Sequence, residues 1–182
     1  MTGVLAKRDA ISPALQDEYR SRALTELLGA YAADPAGLEA RWRKVAARDQ
    51  CIPRVAASAA RHAARAGRAG LAREIIEKAL AQDWSPQLVD LYGDAPPEDV
   101  RLRIERAEHW LRGHPQDSRL LLALGRLCVR GELWGKAQNY LEASLSFEST
   151  REAHLALARL FEHLGRAPEA GRHFRLAAEA SA

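Results

Sequence analysis

Sulfur is scarce in this chain, with two cysteines and one methionine among 182 residues. Cys51 and Cys128 are far apart, with no C-x-x-C motif and no histidine at metal-ligand spacing from either. Neither a disulfide framework nor a zinc site is indicated, and the pattern suits a reducing compartment. Long apolar runs are missing too. No stretch longer than seven residues lacks an Asp, Glu, Lys or Arg, which excludes a helical membrane span within it, and the first residues show no basic-then-apolar signal pattern. Aromatic residues make up only 6%, and the β-branched residues never form the alternating run that a sheet needs. There is no G-x-G-x-x-G and no strand to precede one, so nothing supports a dinucleotide-binding enzyme.

What is present suits helices. Hydrophobic residues make up 47% and charged residues 28%, enough for one sizeable domain that is not compositionally disordered. Alanine, leucine, arginine and glutamate dominate, and the punctuation separates ten helical segments: about 13 to 33, 35 to 49, 53 to 67, 70 to 82, 86 to 93, 97 to 113, 117 to 131, 134 to 146, 150 to 165 and 168 to 180. Pro13, Pro35, Pro86 and Pro168 suit first helical turns, with Ser12, Asp34 and Ser85 as N-caps. Gly67, Gly93, Gly113, Gly131 and Gly165 stand at the expected ends, where a left-handed residue is wanted. Loops of two to five residues make neighbouring helices antiparallel.

These segments repeat. "LGRLCVRGELWGKAQNYLEASL" (124 to 145) overlays "LARLFEHLGRAPEAGRHFRLAA" (157 to 178), with a one-residue shift expected in the inter-helix turn. Leu124-Gly125-x-x-Cys128 matches Leu157-Ala158-x-x-Phe161, and Ala137-x-x-x-Leu141 matches Ala170-x-x-x-Phe174. Ala59-Ala60-x-x-Ala63 followed by Ala72-x-x-x-Ile76 obeys the same spacing. A small residue on each helix lets the pair approach closely, and larger apolar side chains fill the groove between them. The spacing resembles the tetratricopeptide repeat, L-G-x-x-Y followed by A-x-x-x-F. That resemblance implies an all-α, right-handed superhelical solenoid of antiparallel helix pairs, about ten helices in one domain over 1–182. The clearest repeats are 53–85, 117–149 and 150–182, with a divergent unit at 86–116 and the end of an earlier one at 35–49.

Three stretches, "EKALAQDWSPQLVDLYG" (77 to 93), "AEHWLRGHPQDSRLLLALGRLC" (107 to 128) and "LWGKAQNYLEASLSFESTREAHLALARLFEHLGR" (133 to 166), are similar to a narrower group. This is the C-terminal half of the HemY-type tetratricopeptide proteins associated with haem biosynthesis in proteobacteria. The resemblance implies a scaffold linked to haem or porphyrin metabolism, with haem-pathway enzymes as partners. It also implies a full-length protein held at the inner membrane by two N-terminal hydrophobic helices. On that reading this chain is a soluble, cytoplasmic-facing fragment without its anchor.

An enzyme needs a converged set of nucleophile, acid and base or of metal ligands. The six histidines (His62, His109, His114, His154, His163, His173) are scattered over different segments and read as exposed or capping residues. Cys128 falls where the repeat places a tyrosine between its helices, which reads as a core thiol. Cys51-Ile52-Pro53 lacks the adjacent Cys-Pro pair of regulatory haem sites. Trp42, Trp84, Trp110 and Trp134 read as packing anchors. The expectation is therefore no enzyme, no metal and no cofactor.

Charge supplies the candidate site. Net charge is +3, but Arg41 to Arg73 carries nine Lys or Arg against Asp49 alone. Within "RVAASAARHAARAG" (54 to 67) and "RLLLALGRLCVRGE" (119 to 132), arginines recur at the first, eighth and twelfth positions. Seven and eleven residues on a helix return to within about 20° of the start, so Arg54, Arg61 and Arg65 form one stripe and Arg119, Arg126 and Arg130 another. Their counterparts in the last repeat are Glu152, Arg159 and His163. In tetratricopeptide arrays this side lines the concave groove that holds partner peptides, so Arg54, Arg61, Arg65, Arg119, Arg126, Arg130 and Arg159 are the candidate partner-binding residues, suited to an acidic segment. The plainer alternative is a solvated, arginine-rich surface. A direct porphyrin or haem carrier would need a flat apolar slot and an axial ligand, whereas an adaptor needs no deep apolar pocket. A nucleic-acid-binding module would need aromatics interleaved with the basic run, where only Trp42 qualifies, so no nucleic-acid partner is expected.

Overall fold

The computed structural model describes residues 12–31, 34–94 and 100–180. Among them are eleven helices and no strand: α1 (Pro13–Ala30), α2 (Pro35–Lys44), α3 (Ala47–Gln50), α4 (Pro53–Arg65), α5 (Ala69–Leu80), α6 (Pro86–Asp94), α7 (Val100–Leu111), α8 (Ser118–Arg130), α9 (Trp134–Phe147), α10 (Arg151–His163) and α11 (Ala167–Glu179). The start of the segment expected at 97–113 lies outside the described residues, and Asp94 closes α6. The segment expected at 35–49 divides because Val45 is extended (φ −67°, ψ 132°). Gln50 bridges that break, donating from Nε2 to the Trp42 carbonyl at 2.8 Å and accepting from Lys78 Nζ at 2.7 Å.

Side chains cap the helices where the sequence supplies short polar residues. Ser12 accepts from the Leu15 amide, Asp34 from Gly37, Asp117 from Leu120 and Thr150 from Ala153, satisfying amides that have no partner inside their own helix. The ends of α4, α8 and α10 follow one rule. The amides of Arg68, Leu133 and Arg166 donate five residues back, to the carbonyls of Ala63, Cys128 and Phe161, around a left-handed residue. Those residues are Gly67 (φ 72°), Glu132 (φ 57°) and Gly165 (φ 72°). The left-handed residue of the middle turn is therefore Glu132 and not Gly131, and the expected one-residue shift does not occur. Gly93 and Gly113 are not left-handed either.

First helices α1, α4, α6, α8 and α10 pack side by side, and α5, α9 and α11 back onto α4, α8 and α10. Small residues set these distances. A Cβ on Gly125 would stand 2.5 Å from Leu141 Cγ, and one on Gly93 would stand 2.7 Å from Ala123 Cα. Ala137, Ala158 and Ala170 are buried. Gly93 is thus a contact residue inside α6 rather than a helix end. In the divergent pair, α6 and α7 meet through large side chains: Tyr92 and Trp110 at 4.8 Å between ring centroids, with the Arg103 guanidinium 5.1 Å over the Tyr92 ring. Arg103 is wholly buried, and Tyr92 donates to Glu77 at 2.9 Å. The repeat pattern holds no hint of this polar core. At the last repeat, Phe174 is 37% exposed where its counterparts Ile76 and Leu141 are buried, because no further helix among the described residues covers that face.

Glycines at contacts and glycines in open helix should respond oppositely to alanine. Gly93→Ala and Gly125→Ala are each expected to destabilise the chain by about 1–3 kcal/mol through overpacking. Gly171→Ala, where an added Cβ meets nothing within 4 Å, is expected to stabilise α11 by about 0.5–1 kcal/mol. Thermal or urea melts of the three variants decide it, and equal midpoints would refute the contact assignment.

Candidate functional site

The seven arginines fall on three of the first helices, and the structure divides them into two sets. On α8, Arg119 donates to the Asp90 carboxylate, Arg126 donates to Asp94 Oδ1 at 2.8 Å, and Arg130 donates to the Gly93 carbonyl at 2.8 Å. All three acceptors lie on α6. The α8 stripe therefore fastens two neighbouring repeats together. Burial raises the Asp90 carboxyl above its ordinary range, against the opposing pull of Arg119, and burial also lowers the Arg130 guanidinium.

Arg54, Arg61 and Arg65 on α4 and Arg159 on α10 behave differently. Each is exposed, and among the described residues none forms an ion pair or hydrogen bond. By the repeat register, α4 presents its three arginines on the side that α8 turns to the groove. His62 lies between two of them, and its imidazole is held below the usual 6.5, first by burial and then by the positive charges of Arg65 and Arg61.

Arg119, Arg126, Arg130 and Arg159 meet in one groove. Two cavities adjoin along α6, α8 and α10, of about 290 and 460 Å³, and share Asp94, Arg126 and Glu152 in their walls. The smaller holds Arg119, and Leu122 is the apolar residue among those lining it. The larger holds Arg130 and Arg159 above an apolar floor of Val129, Trp134, Leu155, Ala156 and Leu160. The α4 arginines line neither. The apolar cavity is a departure from the smooth basic groove expected of an adaptor. Its apolar floor comes from three helices, α8, α9 and α10, and in the sequence is scattered over 32 positions (129 to 160). Asp90 and Asp94 were also missed, although their four-residue spacing places them on one face of α6.

His154 and His173 depart most clearly from the exposed or capping role. His154 is 7% exposed, its Nε2 is 3.1 Å from Ser149 Oγ, and its Nδ1 is 2.9 Å from His173 Nδ1. The pair sits between α10 and α11 beside Phe161, where it is structural. The tryptophans act as packing residues: Trp84 stacks on His114 at 3.8 Å and donates from Nε1 to Asp117 at 2.8 Å, while Trp42 is buried. Cys128 is buried, and burial pushes its thiol up to about 11. Among the described residues, no group of three or more His, Cys, Asp or Glu is placed to hold a metal ion, and no helix is long and apolar enough to cross a membrane.

No family model and no curated protein matches the chain. Solved structures do. PilF of Pseudomonas aeruginosa superposes with a TM-score of 0.57 at 21% identity, over 91% of this chain and 78% of that one. MamA superposes at 0.56 and 16%, over 94% and 96%. MamA from Desulfovibrio magneticus RS-1, from residue 41 onward, gives 0.55 and 14%, over 94% and 97%. These are tetratricopeptide-like helical repeat proteins, and the chain is an all-α solenoid of that kind. At such identities the likeness carries the fold and nothing about partner or pathway.

The two arginine sets predict different costs on reversal. Arg126→Glu places a carboxylate beside Asp94 and should destabilise the chain by about 0.5–2 kcal/mol, the lost pair plus a like-charge contact. Arg61→Glu/Arg65→Glu should stay within about 0.5 kcal/mol per site. Urea melts giving equal midpoints for the two variants would remove the structural role of the α8 arginines.

The histidine pair predicts a pH dependence. Burial holds both imidazoles below the usual 6.5, and for His173 the charges of His154 and Arg172 add to that effect while Glu142 opposes it. The unfolded chain then binds more protons, so the contribution is complete above about pH 6.5 and is lost as pH falls below it. Between pH 7.5 and 5.5 the wild type should lose more of its melting midpoint than His173→Gln. Parallel losses would show that the pair does not carry the effect.

Proposed function

We propose that the chain is a protein-interaction scaffold that holds an acidic stretch of a partner protein along the face of its first helices. The carrying observation is a row of exposed cations that no acid of the described chain neutralises: Arg54, Arg61 and Arg65 on α4 and Arg159 on α10. Arg119, Arg126 and Arg130 belong to the same face. Their bonds to α6 fix their positions, and Arg119 still has a half-exposed side chain. One exposed Arg–carboxylate pair contributes only about 0.2–1 kcal/mol. An extended partner engaging several in register gains selectivity, because each guanidinium fork donates to a carboxylate in a fixed geometry.

This reading is of binding rather than catalysis: the Ser149 hydroxyl and the His154 imidazole, 3.1 Å apart, are continued by His173 and not by a carboxylate, and neither lines the groove cavities. A protein partner is favoured over nucleic acid because Trp42, the aromatic nearest the basic run, is buried and offers no stacking surface. The resemblance to HemY-type proteins in residues 77–93, 107–128 and 133–166 supports the finer reading. In that reading the partners are haem-pathway enzymes, and the full-length protein works at the inner membrane with its repeats facing the cytoplasm.

A fluorescein-labelled polyglutamate of twenty residues, titrated with the full chain, should bind saturably. Binding should weaken at least tenfold between 0.1 and 1 M salt, as the screening length falls from about 10 to 3 Å. It should be lost in Arg61→Glu/Arg65→Glu protein of unchanged melting midpoint. Affinity capture by the membrane-anchored protein should lose the same partners with that variant. Retention of both the probe and the partners after reversal would remove these arginines from the mechanism.

A further inference from the structure

We propose that the larger cavity between α8 and α10 is an anchor pocket. It receives two apolar side chains from a short extended segment of the partner, while Arg159 binds the carboxylate that follows them. This rests on the scaffold reading and specifies what the partner must carry.

The walls define the chemistry. Val129 and Trp134 face Leu155, Ala156 and Leu160 across the cavity, and the Trp134 ring lies 4.3 Å from that of His163, so aromatic surface closes one end. A cavity of about 150 Å³ accepts one benzene. The 460 Å³ here exceeds that about threefold, which suits two apolar side chains and leaves an open mouth.

Charge sets the direction. Arg126 and Arg130 already donate to α6, whereas Arg159 stands at the rim with no ion pair or hydrogen bond among the described residues. Asp94, already paired with Arg126, and Glu152 lie in the wall shared with the smaller cavity, so the Glu152 carboxylate is what an acid placed there would meet. The ligand carboxylate therefore belongs at the Arg159 end, and the residues near Glu152 are neutral or basic.

Length sets the register. From Glu152 to His163 the α10 wall rises about 16 Å at 1.5 Å per residue. An extended chain covers that in about five residues at 3.3 Å each. Side chains two apart on such a chain point the same way, so the two anchors occupy alternate positions, with Asp or Glu beyond one of them. A purely acidic segment matches neither the apolar floor nor the acids at the far end.

Selection of displayed random heptapeptides on the full chain tests this. The expected winners carry two apolar residues at alternate positions and an acid to one side of them. A fluorescein-labelled winner should bind saturably, and Ala156→Trp, which fills the cavity, and Arg159→Glu, on the exposed rim, should each weaken it at least tenfold. Arg61→Glu/Arg65→Glu should leave it within twofold, since no α4 residue lines either cavity. Circular dichroism checks the fold of each variant, and Arg159→Glu decides the matter if Ala156→Trp is misfolded. Absence of enrichment, winners lacking either the apolar pair or the acid, or binding indifferent to Arg159→Glu would overturn the pocket. If the pocket fails while polyglutamate still binds through α4, the scaffold stands without this anchor. If polyglutamate binding fails as well, the scaffold reading falls with it.

Discussion

Close approach of helices at small residues is the constraint on which the rest of the molecule depends. Gly125 admits Leu141 into van der Waals contact with the α8 backbone, and Gly93 admits the Ala123 backbone of the same helix from the other side. With α8 held between α9 and α6 in this way, its remaining face has one orientation available. Arg119, Arg126 and Arg130 lie on that face. Their bonds to α6 have good geometry because the two helix axes are already fixed by contacts that contain no charge.

The charged face has a different logic from the core beneath it. In α4 the buried positions are largely alanine, and in α8 largely leucine, yet both carry arginines at the same three places. Volume lost in one repeat can be recovered by a neighbour. A guanidinium on a groove has no such substitute. The same three positions nevertheless serve two ends. On α8 they meet the carboxylates and carbonyl of α6 and hold repeats together. On α4 no described acid answers them, and they remain available to something outside the chain.

Much of the fold could be read because the repeat is written in local terms. The twelve-residue interval between small residues, the prolines at helix starts, and the caps at Ser12 and Asp34 each act within a turn or two of where they stand. The misreadings have local causes as well. Gly131 is the obvious left-handed residue, but the five-residue hydrogen bond that ends α8 places that conformation on Glu132. Val45 breaks a helix that composition alone would continue. What could not be read was assembled from distance: the Arg103–Tyr92 core, the His154–His173 pair, the α6 carboxylates under the α8 arginines, and a cavity with an apolar floor from three helices. None of these has a periodic signature, since each needs the relative placement of repeats, which one sequence does not encode locally. The seven arginines were legible as a face, but not as two sets, because a paired and an unpaired guanidinium are written with the same letter.

The three α8–α6 bonds also make the elasticity of the array uneven. A solenoid in which each repeat touches only its neighbours bends at its joints, and the joint between α6 and α8 carries charge-assisted ties in addition to apolar packing. Among the described residues Arg54, Arg61 and Arg65 tie α4 to no neighbour, and the ties at the N-terminal joints come from elsewhere, Arg20 to Asp49 and Arg68 to Glu39. Bending along the groove is resisted at the α6–α8 joint by arginines that also line that groove, whereas at the matching positions of α4 the arginines resist nothing. A partner seated along the whole face would therefore meet guanidiniums already held by α6 at one end and guanidiniums able to follow it at the other.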